Sequence, residues 1–532
     1  MKHQSLLSGI KSLGIMLSLG LALASCTKDD VSQNPAKPNE EENKNLTTFV
    51  AGGENKTRTS MDYDSGDFYW EAGDYIYVKD DDGVLQKSSN APTQKVASFR
   101  YRVPGKFGAS ASYKVYYLGK NSNGSKVTIS TNQTQTAPDN TEHFGTAGDY
   151  GTATATGAVG GSIFSFQLEH QAAYLVFQPY TSNEILQNCY LTKVEVTSDN
   201  DIAATYTVRQ PNGKLVASTG TGSNKIVLTT KDPKSGSSYY DGFPLDNNTA
   251  DVTNNGAYMV IKPGTHTLRV RYWVKDVDTH VEGTITKIYP STAYASNTYY
   301  DMTADLNVHD YDGDHYYQWD AKEQYWKGRE WWSTGKDQPV LNGSSNSNYA
   351  YSNSDPRHYN TSFPGTNISN PAIHSCKDLP NVNELTWYAA YGDPRWDADE
   401  LWTTMGHLYK GGMWFKRKSV LQAENHYDTE KSADGSTDLR TTYKLYSNSN
   451  SSIYSSGLPS TADASNYFFL PALGYYYYGQ LKEVGYAGHY WSSSSHPWLG
   501  NYAYGFGFDS GNVNMDNVYY RHNGFRVKPS FE

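Results

Sequence analysis

Tyr475 to Tyr478, His489, Trp491, His496, Trp498, Asn501 and Tyr502 fall within one short, loop-rich stretch near the end of the chain. Aromatic faces stack on the C–H surfaces of sugars, and neighbouring amides fix orientation. The same residue types anchor protein interfaces, where a few buried Tyr and Trp dominate. Tyr490 and Trp491 suit a core. Tyr478, His496, Trp498, Asn501 and Tyr502 are the candidate ligand-binding residues. His489 and His496 have no partners at metal-ligand spacing, so no metal is expected there. Asp310-Tyr311-Asp312-Gly313-Asp314 sets three carboxylates at alternate positions. A calcium loop of the EF-hand type needs glycine at its sixth position and a distal Glu. Gly313 is fourth, so the segment reads as an exposed acidic turn.

Enzymatic chemistry leaves no trace. The chain has no nucleophile elbow, no phosphate-binding glycine loop and no zinc helix. Carboxylates are numerous, and whether two of them form a glycosidase pair depends on their separation in space. The expectation is a binding protein, not an enzyme, with no cofactor and no metal. Cys26, Cys189 and Cys376 are the three cysteines. Cys189 and Cys376 fall in different predicted domains, so no disulfide is expected, and no zinc spacing is present.

The elements that must position these residues are mostly strands. The chain has 532 residues, 46 Tyr, 46 Gly and only 19% charged residues, a composition that suits β-structure. The formal charge is −10, and loss of Lys2 and Lys11 with a leader makes it −12, which leaves no electrostatic footprint for nucleic acid. Lys2, Lys11, an apolar run from Leu13 and the small residues Leu23-Ala24-Ser25 form an export signal over residues 1–25. That run is shorter than the roughly 20 residues a membrane-spanning helix requires. Residues 26–45 are polar and read as a flexible tether. Strand patterns and turn signals then recur from residue 46 to about 306, predicting two β-sandwich units, 46–180 and 181–306. Residues 307–532 differ. Asp378 to Tyr391 carries helix signals, with Gly392 at its end, and Asp397 to Leu408 reads as a second helix. The predicted fold class is mostly β: two tandem β-sandwiches, then an α+β domain.

Four resemblances refine this reading. Leu23-Ala24-Ser25-Cys26 resembles the bacterial lipobox, which implies cleavage before Cys26 and acylation of its thiol. Several acyl chains on one residue hold a protein to a membrane far better than one. Lys28-Asp29-Asp30 beside it resembles the surface-export signal of Bacteroidetes lipoproteins. Thr57-Arg58-Thr59, Trp70-Glu71-Ala72-Gly73-Asp74-Tyr75-Ile76-Tyr77-Val78 and Phe166-Gln167-Leu168-Glu169-His170-Gln171-Ala172-Ala173 resemble the fimbrillin family of Bacteroidetes pilins over residues 46–306. From about residue 370, Gly488-His489-Tyr490-Trp491-Ser492 and Asn523-Gly524-Phe525-Arg526-Val527 resemble the Fibrobacter-type major paralogous domain, which is similar to C-type lectins. The sugar-binding triplets of calcium-dependent lectins do not occur, and neither does the cysteine pair of formylglycine-generating enzymes.

The fimbrillin resemblance implies assembly with other pilins by strand exchange, with Arg58 as a candidate maturation site. A globular domain after the pilin region implies a chain that accepts a strand without donating one, hence a fimbrial tip adhesin. The implied location is the cell outer membrane, surface-exposed through the lipid anchor, and the fimbrium tip after processing. The implied ligand is a host glycan or protein. The alternative is a tethered glycan-binding lipoprotein or glycosidase accessory protein.

Overall fold

The computed structural model describes residues 2–5, 46–52, 60–66, 68–120, 122, 124–209, 214–444, 447–449, 453, 457–515, 518–527 and 531. Cys26, Lys28, Asp29, Asp30 and Arg58 lie outside them. The chain is mostly β, with several sheets and few helices.

The first unit is a sheet in the order Leu85–Lys87, Tyr77–Lys79, Ser112–Tyr117, Gly151–Gly157, Ile163–Phe166, Leu46–Ala51, Phe99–Pro104. Leu46–Ala51 is an interior strand. It runs parallel to Ile163–Phe166 and antiparallel to Phe99–Pro104, so its backbone is bonded on both edges. Its Phe49 is fully buried and stacks on Phe164, with ring centroids 5.4 Å apart. The motif residues mark the core: Trp70, Phe166, Leu168, His170 and Ala172 are all buried. Buried His170 contacts Asp149 through Nδ1 at 3.1 Å, and Tyr174 donates to the same carboxylate at 2.5 Å. The run from Phe166 to Ala173 is therefore packing and buried polar pairing, as expected for groups that must be satisfied inside a core.

Ala173–Tyr180, which the sequence reading puts at the end of the first unit, packs with the second. It lies between Ala257–Ile261 and Thr298–Asp305. Its eight residues pair in parallel with all of Thr298–Asp305. The reason is its composition: seven of the eight positions are buried, a pattern that a half-exposed edge strand could not tolerate. The other edge of Thr298–Asp305 carries Lys2–Ser5, also in parallel.

The opposite layer of the second unit contains Asn132–Gln135, Lys225–Thr230, Cys189–Ser198, Gly264–Asp276 and Glu282–Tyr294, and this sheet does not stop there. It continues through Arg395–Thr404 and His407–Lys416 to Tyr467–Pro471 of the C-terminal unit. The crossing point is the parallel pairing of Thr284 with Glu400. Gly283 makes that approach possible, because a Cβ there would stand 2.4 Å from the Asp399 carbonyl oxygen and 2.7 Å from Leu401 Cδ2.

Arg395–Thr404 and His407–Lys416 correct the second helix expected at Asp397 to Leu408. Leu401, Trp402, Met405 and Leu408 have helix-like spacing, but the chain turns at Met405-Gly406, both with positive φ, and forms a hairpin. Tertiary packing overrides the spacing: Leu401 and Leu408 complete the core of the second unit, while Trp402 and Met405 enter that of the C-terminal unit. The helix expected over Asp378 to Tyr391 is present as Val382–Tyr391. Asn381 and Glu384 form a reciprocal capping box at its start.

Cys189 and Cys376 are buried free thiols. No described helix is long and apolar enough to cross a membrane.

Candidate functional site

Three segments far apart in sequence bring aromatic rings to one face of the C-terminal unit. The first is the hairpin between Leu473–Tyr477 and Gln480–Val484, whose two turn residues are Tyr478 and Gly479. Both have positive φ, at 48° and 75°. That conformation fits a tight hairpin turn but favours Asn, Asp or Gly at the first position. A tyrosine there costs on the order of 1 kcal/mol. Met405 adopts a similar conformation but is fully packed, whereas Tyr478 is 51% exposed. Nothing in the core offsets the strain at Tyr478.

The second segment is the loop before this hairpin in sequence. Asn346 donates to the Gly479 carbonyl at 3.1 Å, and Gly479 donates to the Tyr325 hydroxyl at 3.1 Å. Tyr325 stacks on Tyr349, which in turn meets Tyr351 and Tyr478 at 6.3 and 6.2 Å. The third segment is the strand Val518–Tyr520 with His522. Tyr520 pairs directly across from Tyr502, with rings 4.5 Å apart. His522 bridges the segments, 5.1 Å from Tyr520 and 4.6 Å from Tyr478. Tyr351, Tyr349, Tyr478, His522, Tyr520 and Tyr502 thus form a continuous aromatic ribbon. Tyr351 is 81% exposed and Tyr520 is 40% exposed.

Arg521 holds the ribbon from below. Its guanidinium is buried and lies over Trp319, 4.3 Å from the ring centroid. It donates to the carbonyls of Tyr502, Asn360 and Ser362 at 3.0, 2.6 and 3.1 Å. Burial lowers its pKa to about 10, so it stays charged at neutral pH.

The sequence-predicted residues divide. Tyr478 and Tyr502 belong to the ribbon. Asn501 is exposed, and its backbone carbonyl accepts from Arg521 at 3.0 Å. Trp498 is 46% exposed and packs on Tyr443, 5.2 Å away. His496 is buried, and its Nδ1 accepts from the backbone amides of Trp498 and Leu499 at 3.0 and 3.1 Å. Burial, with Arg521 nearby, lowers its pKa to about 4, as an acceptor imidazole requires. His496 shapes the loop and does not face a ligand. Sequence reasoning missed Tyr349, Tyr351, Tyr520 and His522. Their only local signal was aromatic density, which this chain has almost everywhere.

Asp312, Asp314 and His315 place three possible ligand atoms within 4.8 Å of one another. His315 contacts Asp312 at 2.6 Å and also Asp314, and Arg526 lies 3.8 Å from Asp312. Burial opposes ionisation of Asp312, but bonds from Asp314 and His315, with Arg526, outweigh it and hold the carboxyl at about 2. Burial and Asp312 push Asp314 up. The acidic turn is thus internally compensated.

A charged cluster lies at the sheet crossing. Arg271 meets Asp397 at 2.8 Å, and both are buried. Arg271 also donates to Thr284, which donates to Glu400 at 3.1 Å. Thr286 gives Glu400 its amide at 3.0 Å and its hydroxyl at 2.6 Å. Burial, then repulsion from Asp397, raise Glu400 to about 7 against the pull of Arg271. Lys410 donates to the Glu282 carbonyl at 2.8 Å across the same junction.

No family model and no curated protein matches the chain. Among solved structures it is similar to a proposed cell adhesion protein of Bacteroides ovatus, at 16% identity over 49% of this chain and 93% of that one, with a TM-score of 0.31. A fimbrial protein of the same species covers 90% of this chain and 98% of its own length at 13% identity, with a TM-score of 0.25. The fimbrial anchor protein Mfa2 of Porphyromonas gingivalis is 12% identical over 46% of this chain and 82% of its own, with a TM-score of 0.20. At these identities and TM-scores the likeness carries no argument.

Proposed function

We propose that the chain is a fimbrial adhesin, anchored to the outer membrane through acylated Cys26 and exported by the signal at Lys28, Asp29 and Asp30. Residues 46–180 and 181–306 are its stalk, and residues 307–532 its adhesive head. The aromatic ribbon carries this reading. Large rings kept in water, one of them in a strained turn, are retained for contact and not for folding.

The tip position draws support from Thr298–Asp305. This strand is paired along its whole length with Ala173–Tyr180, and the chain then runs directly into the head. Leu306 donates to the Tyr180 carbonyl at 2.7 Å, and Tyr311 donates to Thr403 at 2.8 Å. A strand paired residue for residue and held again just past its C-terminal end is not free to enter a neighbour. Leu46–Ala51 is the complementary feature. Cleavage after Arg58 would separate it from the body, opening two strand edges and uncovering the pocket of Phe49 for an incoming pilin strand.

Adhesion tests the reading. Beads coated with the full chain should bind host epithelial or bacterial cells. Trp498→Ala and Tyr478→Ala should each reduce capture severalfold with unchanged thermal unfolding. Equal capture by wild type and both variants would overturn it.

A further inference from the structure

Resting on the adhesin reading, we infer that the ribbon binds a neutral oligosaccharide longer than a disaccharide, laid lengthwise along Tyr351, Tyr349, Tyr478, His522, Tyr520 and Tyr502. Successive ring centroids are 6.3, 6.2, 4.6, 5.1 and 4.5 Å apart. That is a track one ring wide, stepped at about the length of a pyranose unit. Tyr349 meets Tyr351 and Tyr478 edge to face, at 76° and 73°, and Tyr520 stacks on His522 at 21°, so the surface offers the exposed rings of Tyr351, Tyr478 and Tyr520 with hydroxyls and ring nitrogens beside them. Such a surface matches a ligand with C–H faces and hydroxyl rims.

Unpaired polar atoms lie along the same track. The buried Nε2 of His522 and Nδ1 of His358 lack hydrogen-bond partners. So do Nη2 of Arg521 and Oδ1 of Asn523, on side chains that are 0% and 5% exposed. Four orphaned polar atoms, three of them on consecutive residues of one ribbon segment, are more than a folded core normally leaves. Hydroxyl groups, directly or through bridging water, satisfy donors and acceptors alike.

Charge argues for a neutral ligand. Arg521 is buried on three carbonyls. Arg357 holds Asp355 with two nitrogens, at 3.1 and 2.7 Å. Lys482 lies over the Tyr477 ring at 5.0 Å. Burial lowers both His522 and His358, which keeps them uncharged at neutral pH. An acidic glycan would find Arg357 and Lys482 already engaged, and only the buried Nη2 of Arg521 left to donate.

The test is titration calorimetry of the full chain with matched hexasaccharides and disaccharides: neutral glucan, xylan and mannan fragments, a sialylated glycan and a heparin-derived sulfated fragment. The expected result is binding of at least one neutral hexasaccharide, at least tenfold tighter than its disaccharide. Raising salt should leave it unchanged. Tyr478→Ala and Tyr520→Ala should each weaken it at least tenfold with unchanged unfolding. Preference for the sialylated or sulfated probe overturns the neutral class. So does the absence of neutral binding when bead adhesion is still lost in Tyr478→Ala; the adhesin reading then stands. If bead adhesion also ignores Tyr478→Ala and Trp498→Ala, the adhesin reading falls and takes this inference with it.

Discussion

Glu400→Gln at the junction of the second and C-terminal units should remove a specific pH dependence from folding. Glu400 is half-buried at the sheet crossing, and its carboxyl is raised from 4.5 to about 7. Burial is the main cause and the Asp397 charge the next, while Arg271 and the bonds from Thr286 pull the other way. In the unfolded chain the group titrates near its ordinary value. Between these limits the folded state holds a proton that the unfolded state has released. Stability from this group is therefore full at the acid end and is lost as pH rises through about 7. A displacement of this size corresponds to about 2.5 kcal/mol between pH 5 and pH 8. Gln keeps the carbonyl that accepts the Thr286 amide and cannot ionise. Urea unfolding of both full chains, followed by tryptophan fluorescence at pH 5, 6, 7 and 8, reads the difference. All other titrating groups are shared and cancel. Wild type should lose about 2.5 kcal/mol relative to Glu400→Gln across that range. Profiles that stay parallel within about 0.5 kcal/mol would refute the junction as a buried, acid-stabilised contact.

The same junction should be sensitive to its cation. Arg271→Met leaves Asp397 buried beside Glu400 without a countercharge and should cost about 3–5 kcal/mol in urea unfolding. Gly283→Ala drives a methyl into the Asp399 carbonyl and Leu401, and should cost about 1–3 kcal/mol by the same assay. Within the C-terminal unit, the Asp320 carboxylate accepts from the amides of Ile373, His374 and Cys376 at 2.8, 2.7 and 3.2 Å, and from Asn360 at 2.7 Å. Asp320→Ala strands these donors and should cost about 2–4 kcal/mol, seen as a lower midpoint of unfolding. Tyr478→Asn should do the opposite: it relieves the left-handed turn and raises stability by up to about 1 kcal/mol, while cell or glycan binding falls.

Much of the fold was legible because its signals are local. Trp70-Glu71-Ala72-Gly73-Asp74 and Phe166 to Ala173 mark core residues within a few positions of one another. Asn381 and Glu384 announce a helix start through spacing alone. Asp397 to Leu408 shows the limit. Leu401, Trp402, Met405 and Leu408 satisfy a helical period, yet they form a hairpin because they are packed into two different cores, Leu401 and Leu408 in one and Trp402 and Met405 in the other. The candidate site divides in the same way. Tyr478 and Tyr502 could be picked from one dense stretch, but Tyr349, Tyr351, Tyr520 and His522 look like any other aromatics in a chain with 46 tyrosines. His496 looks like a binding residue until its two amide partners are seen.

The sequence by itself determined the β-rich character and the start of the helix at Asn381, because composition and short-range spacing express these without a partner. Only the tertiary structure decided that the second and C-terminal units share one sheet, that Arg271 and Asp397 meet inside it, and that six rings gather on one face. Those arrangements depend on which strands pair and which side chains are desolvated together. Such choices are made by long-range packing, and no local window of residues encodes them.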